Sequence, residues 1–396
     1  MFKYARFTAM AFLYSPIIII LLLHGSSLAL FLPLTVIVLQ VSLDNLLPKY
    51  TRRQTYAHAW FLDALVFIQV PLSYLALLVL LWQIAPGDLF GIGQGIESVT
   101  GLKILESHYQ FSLKDGLLSA LACGFYFSVN TLIGHELTHR LTSPFSMFWG
   151  RLSLALVGDS QFAISHVHAH HKNVATPEDA ATARRGENLY QFFIRSAAGQ
   201  YRESWAFESK RLARLGRSAW SLRNEVISGL MLTGLIALMF LVLAGWQGLL
   251  CYAVFVVTAK FLFESVNYIE HYGLVRVPGQ KVEPRHSWDC QNSLSTFNYL
   301  NLTRHSDHHA NANKPYWELE SKEDAMDLPY GYMAFILLAT VPPLWHQIMT
   351  PRLLAWDRDI ATPEERALAQ KANQASGISA LVQNGIYTSG TTVEEV

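Results

Sequence analysis

The sequence predicts an all-α, polytopic membrane protein with about six transmembrane helices and a helical, histidine-rich domain on one face. Three observations carry this. Of 396 residues, 51% are hydrophobic and only 15% are charged, against about 25% charged in a soluble protein. Apolar runs approaching the length of a bilayer crossing, about 20 residues, recur along the chain. The histidines gather where those runs end.

Composition also excludes. Lysines and arginines equal aspartates and glutamates, 30 against 30, so the chain carries no basic footprint for nucleic acid. Cys123, Cys251 and Cys290 are far apart and form no C-x-x-C. A disulfide framework, a built-in rubredoxin-type site and an iron–sulfur cluster are therefore not expected. No cleavable signal pattern is evident, because the first apolar run continues into a second.

The elements follow in order. Runs 9–23 and 28–43 are separated by Gly25-Ser26-Ser27. Each is short for a full crossing, so they tilt or form a hairpin, and the chain returns to its starting side. Run 60–82 has Trp60 and Trp82 at its ends, as interfacial anchors. A Gly-containing connection, 88–114, leads to run 116–133, which passes directly into Gly134-His135. Run 147–157 is too short to cross and is expected at the interface. Residues 184–223 are rich in Arg and read as part of a large polar domain. Runs 226–243 and 249–263 are joined by a turn at Gly245-Trp246-Gln247-Gly248. Run 330–349 carries Pro342-Pro343 and is expected as a helix on the membrane face. Residues 1–360 thus form one membrane domain, with site regions 134–225 and 264–327. Residues 361–396 read as a polar, partly disordered tail.

Excess Lys and Arg marks the cytoplasmic side. The N-terminus, the 49–53 loop, the 140–223 region and the segment after Phe263 are the basic ones. An even number of crossings places them, and every histidine cluster, on that one side.

Four histidine clusters carry the chemistry. His135-Glu136-Leu137-Thr138-His139 puts two rings four apart on one helical face. It also matches the His-Glu-x-x-His pattern of zinc proteases, with Glu136 as general base. His166, His170 and His171 lie within six residues. His166 and His170 are expected on one face, and His171 reaches them if the helix bends or a second metal is present. His271 stands at the mouth of the sixth run. His305, His308 and His309 are spaced i, i+3 and i+4. Nine imidazoles exceed one ion's needs and suit two ions with four or five each. Imidazole serves iron, zinc and copper alike, so ligand type does not choose. Glu136, Glu270, Asp307 and Asp179 stand near these rings and can accept a second ring N–H. A zinc protease would leave six histidines without a role. A non-enzymatic metal-handling or haem-handling membrane protein is a further alternative, and metal analysis separates them.

The motifs H-E-L-T-H, H-x-x-x-H-H followed by V-A-T-P-E-D-x-A-T-A-R-x-G-E, N-Y-I-E-H-Y-G-L and R-H-S-D-H-H-A resemble those of the membrane alkane 1-monooxygenases (alkane hydroxylases). That family stands with xylene monooxygenase and, more distantly, the membrane fatty-acid desaturases. His286-Ser287-Trp288, Leu328 to Tyr332 and Pro342 to Trp345 extend the resemblance over roughly 134–352. It implies a six-helix hydroxylase of a bacterial-type inner membrane, its site and termini cytoplasmic. It implies two Fe ions held by histidine alone, and one oxygen atom of O2 inserted into the terminal C–H bond of an alkane drawn from the lipid. Electrons would come from rubredoxin, reduced by an NAD(P)H-dependent rubredoxin reductase. The nine histidines fall on the family's ligand positions, and His168 falls between them. No catalytic residue beyond the ligands is implied. Ser165, Arg140 and Thr303 depart from the family's usual Glu, Lys and Gln, which bears on substrate range. An aryl-methyl hydroxylase or a fatty-acyl desaturase is the nearest rival. The substrate is expected to enter between the third, fourth and sixth runs.

Overall fold

The computed structural model describes residues 2–25 and 27–384. Helix dominates. The one sheet among the described residues is a pair of two-residue parallel strands, Trp288–Asp289 and Met326–Asp327.

The apolar helices are α1 (Met10–Leu23), α2 (Phe31–Leu43), α3 (Ala59–Ile84) and α4 (Leu113–Thr138). At 1.5 Å per residue, the 26 residues of α3 and of α4 each extend about 39 Å, enough for the ~30 Å hydrocarbon layer. The 13 residues of α2 extend only about 20 Å. The short α1 leans on α3, where Gln83 Nε2 donates to the carbonyl of Leu22 at 2.7 Å and closes its end. A capping box between Ser112 and Asp115 starts α4. After a one-residue interruption at Ser128, α4 continues as helix through His135, past the expected end at 133, because its last turn is buried against α5 (Pro144–Leu156). Glycines allow that crossing: a Cβ on Gly134 would sit 3.1 Å from the carbonyl of Gly150 and 2.5 Å from Leu154 Cγ. α5 is thus packed closely on α4.

After α6 (Leu189–Arg214), the 47-residue α7 (Glu225–His271) is interrupted at Gly245, with φ +65° and ψ −162°. The Phe240 and Tyr252 rings stack at 5.2 Å, whereas twelve residues of continuous helix span about 18 Å. The chain therefore folds back at Gly245, a backbone conformation that favours glycine. The returning arm, 246–271, runs eight residues past the expected end at 263. Its last turns, Glu264 to His271, are polar but buried, so helix continues where hydropathy ends.

One expectation fails and another is narrowed. Run 330–349 is not one helix on the membrane face. It breaks into α8 (Tyr332–Ala339) and α9 (Pro342–Asp359), bent by 119°, because residues before Pro342-Pro343 are pushed out of the α region. Trp345 and Trp356 of α9 are fully buried. The tail expected to be partly disordered is helical over much of 361–384. α10 (Pro363–Ala375) opens with a Thr362/Glu365 capping box, and Glu365 is buried against Arg285 and His286. Ionic partners hold a segment that composition alone marks as polar. Residues 385–396 of the expected tail lie outside the described residues.

Candidate metal centre

Three helix ends and one irregular turn bring the nine histidines together. His135 and His139 close α4, one turn apart, with ring centroids at 4.7 Å. His271 closes the long arm of α7. His305 opens the short helix His305–Ala310, which Asp289 anchors by accepting from the amide and hydroxyl of Ser306, at 2.8 and 2.7 Å. Burial pushes the Asp289 carboxyl up to about 7.

The fourth segment does not follow the α-helical expectation. Residues His166–His170 form a π turn, and the amide of His171 bonds the carbonyl of His166. A π turn aligns i with i+5 rather than i+4. His166 Nε2 therefore meets His171 Nε2 at 3.0 Å, and His170 turns elsewhere.

Two groups result. His135, His139, His166, His171 and His308 form one, and His170, His271, His305 and His309 the other. Within each group the ring nitrogens lie within 4.8 Å of one another. His308 Nε2 stands 3.0 Å from both His135 Nε2 and His171 Nε2. His305 Nε2 stands 3.0 Å from His271 Nε2 and 2.9 Å from His309 Nε2. A neutral ring nitrogen carries either one N–H or one lone pair. One site cannot satisfy two neighbours, and lone pairs are left facing lone pairs. His139 Nε2 and His170 Nε2 are buried without any partner. A cation at each focus relieves this, since donors bound side by side at about 2.1 Å from an ion stand about 3.0 Å apart. Burial, with the neighbouring rings, also pushes His139, His166, His171, His305, His308 and His309 well below the usual histidine range. They are neutral, as metal ligands must be. His168 belongs to neither group and stacks on Phe207 at 4.2 Å.

Of the four acids singled out above, two touch ring nitrogens. Asp179 Oδ2 accepts from His170 Nδ1 at 2.8 Å and from Thr182 Oγ1 at 2.6 Å. Burial pushes its carboxyl up, but these partners prevail and hold it below the usual range. Glu270 Oε1 stands 3.3 Å from His305 Nδ1 and accepts from Tyr332 Oη at 2.8 Å. The other two turn away. Glu136 pairs with Arg140 at 2.9 Å, so it is not a free general base. Asp307 is held by Lys314 and Lys322, at 2.7 and 2.9 Å. His286 contributes its carbonyl, 3.4 Å from His271 Nδ1. Its own ring is tied to Glu365 Oε1 at 2.6 Å and to the amide of Glu283.

Tyr332 entered the sequence reading only within the Leu328 to Tyr332 motif, and its bond to Glu270 was not foreseen. Nor was a buried charge cluster, in which Lys260 Nζ lies 2.7 Å from both Asp159 Oδ1 and Glu264 Oε1. A lysine inside an apolar run requires a buried partner, and that signal was available.

A narrow channel of about 100 Å³ approaches the centre from the apolar side. Met10, Tyr14, Val129, Leu132, Val266 and Met333 line it, and Glu270 and Tyr332 stand among its walls. The fourth and sixth apolar runs contribute as expected. The third does not: α1, α2 and α8 take its place, because α3 is occupied in packing against α1, α4 and α7. Gln40 also lines the channel, with its Oε1 buried and unpartnered. On the opposite side an open polar cleft reaches His139 between Arg140, Thr142 and Lys314.

Comparison with known proteins agrees with this geometry. The family model described as fatty acid desaturase matches residues 116–338. The alkane 1-monooxygenase of Ectopseudomonas oleovorans is 32% identical over 321 residues, 79% of this chain and 72% of the relative. That of Pseudomonas putida is 33% identical over 297 residues, 74% of this chain and 68% of the relative. The xylene/toluene monooxygenase hydroxylase component of Pseudomonas putida is 33% identical over 343 residues, 85% of each chain. The chain belongs to the fatty acid desaturase family, in the branch that holds the alkane 1-monooxygenases.

Proposed function

We propose that this chain is a non-haem di-iron monooxygenase that converts an alkane to the 1-alkanol. The balance is RH + O2 + 2 e⁻ + 2 H⁺ → ROH + H2O. One observation supports this above the rest: nine histidines, grouped five and four, stand beside an apolar channel that Glu270 helps to line. His135, His139, His166, His171 and His308 would hold one iron, and His170, His271, His305 and His309 the other. Bound there, the two irons supply reductive activation of O2.

The chain's own residues do the rest. Asp179 accepts a hydrogen bond from Nδ1–H of His170, which leaves the Nε2 lone pair free for a metal. Glu270, braced by Tyr332, stands to do the same for His305. The channel walls exclude water and orient the hydrocarbon with one end at Glu270. The cleft at His139 gives protons and water a separate way in and out.

The setting we infer is a bacterial-type inner membrane crossed six times, with site and termini cytoplasmic. Both feet of the α7 hairpin lie at the end that carries the metal centre and the Arg-rich 202–223 stretch. The electron source we infer is rubredoxin, reduced by an NAD(P)H-dependent rubredoxin reductase. The xylene/toluene relative matches over 85% of both chains, so a ring methyl is the second substrate reading.

The test is product analysis on octane, hexadecane and p-xylene with rubredoxin and its reductase supplied, alongside metal analysis. Terminal alcohols and two irons per chain are expected. A single zinc per chain, or no oxygenated product from any of the three, overturns the proposal.

A further inference from the structure

The stretch 202–223 takes no part in the metal centre. It comprises the second half of α6 and the loop leading to Glu225. Six cations stand in it: Arg202, Lys210, Arg211, Arg214, Arg217 and Arg223. Arg211 pairs with Glu208 at 2.6 Å. The nearby acids are otherwise engaged. Glu208 also accepts from the amide of Glu225, Glu225 pairs with Arg151, and Glu203 accepts from the amide of Ala180. Among the described residues no carboxylate pairs with the other five cations. This is a local excess in a chain of zero net charge.

The same stretch exposes large apolar side chains. Leu215 is 60% exposed, Trp220 77% and Leu222 71%. Trp205 meets Trp220 edge-on at 4.9 Å. The loop ends at Asn224, whose side chain caps α7 by accepting from the amide of Val226 at 2.9 Å. Trp220 and Leu222 therefore stand at the foot of the apolar arm, where that arm meets water.

We propose that this loop is a docking surface for anionic phospholipid headgroups. Trp220, Leu222 and Leu215 enter the headgroup layer, and Lys210, Arg217 and Arg223 bind the phosphates. Tryptophan favours that layer, and unpaired cations beside a membrane foot are drawn to an anionic leaflet. A soluble acidic protein would account for the charges but not for apolar side chains set at membrane level. The contact also braces the centre. α6 carries Ser196 and Gln200, which bond Glu264 at 2.8 and 2.7 Å, seven residues before His271.

The test uses the full chain in nanodiscs of phosphatidylcholine alone or mixed equally with phosphatidylglycerol. Wild type is expected to unfold several degrees higher in the anionic discs. In about 1 M salt, where charge interactions reach only about 3 Å, that advantage should shrink. The exposed triple variant Lys210→Gln, Arg217→Gln, Arg223→Gln should show no advantage. A spin label on Ser221→Cys reports position independently, because Cys123, Cys251 and Cys290 are all buried. In anionic discs it should be reached by O2 more readily than by a water-soluble nickel reagent. Wild type without the anionic advantage, a triple variant that keeps it, or a label as open to nickel as in water overturns the proposal. A triple variant whose lipid response persists while its KM for the electron-donor protein rises would assign the surface to that protein instead.

Discussion

Asp179 shows what one side chain contributes to a centre of this kind. It is fully buried, and by accepting from Nδ1 it leaves Nε2 of His170 as the nitrogen open to a metal. Asp179→Asn keeps the shape but weakens the acceptor. Iron affinity of the second group should fall about 10- to 100-fold, read as faster loss of iron to a chelator. Unchanged retention would show that the ring is held without it. Gln40 presents the opposite case. Its amide oxygen is buried in an apolar channel with no partner, which costs roughly 1–3 kcal/mol. Gln40→Leu should therefore stabilise the protein by about 1 kcal/mol, measured by denaturant unfolding in detergent. A loss of stability would mean that the amide is satisfied in solution.

At the scale of elements, α10 holds the outer wall of the site through Glu365. Burial pushes the Glu365 carboxyl up, but His286, the Thr362 amide and Arg285 outweigh it and hold the group at about 2, below the usual 4.5. The folded state therefore favours the ionised form. That stabilisation is full above about pH 4.5 and is lost as pH falls towards 2. Glu365→Gln should lower the unfolding midpoint at pH 7, and the gap from wild type should begin to close below pH 4.5. A gap that stays constant down to pH 3 would rule this out. The Thr362-Pro-Glu-Glu start of α10 was readable as a capping box. Its burial was not, because Arg285 and His286 lie some 80 residues earlier. The π turn at His166–His170 was equally hidden, since four histidines in six residues fit an α turn as well as a π turn.

At the scale of the molecule, the channel relates hydrocarbon length to the helices that wall it. Met333 and Val129 lie on different helices and both line it. Met333→Trp should fill the space, so that hexadecane turnover falls about tenfold or more while octane is affected less, with iron content at wild-type level. Equal losses on both substrates, or a loss of iron, would place Met333 outside the binding path.

From the sequence alone came the helical membrane class, the fold-back near Gly245 and the nine histidines in four segments. Each of these is written in local composition: apolar runs, a Gly-rich turn, and imidazoles at short spacings. Tertiary structure decided how those histidines divide into five and four, because partners such as His308 and His135 are 173 residues apart. It also decided which acids face the rings. Glu136 and Asp179 look alike beside a histidine motif, but a neighbouring Arg140 claims the first and leaves only the second for the metal centre.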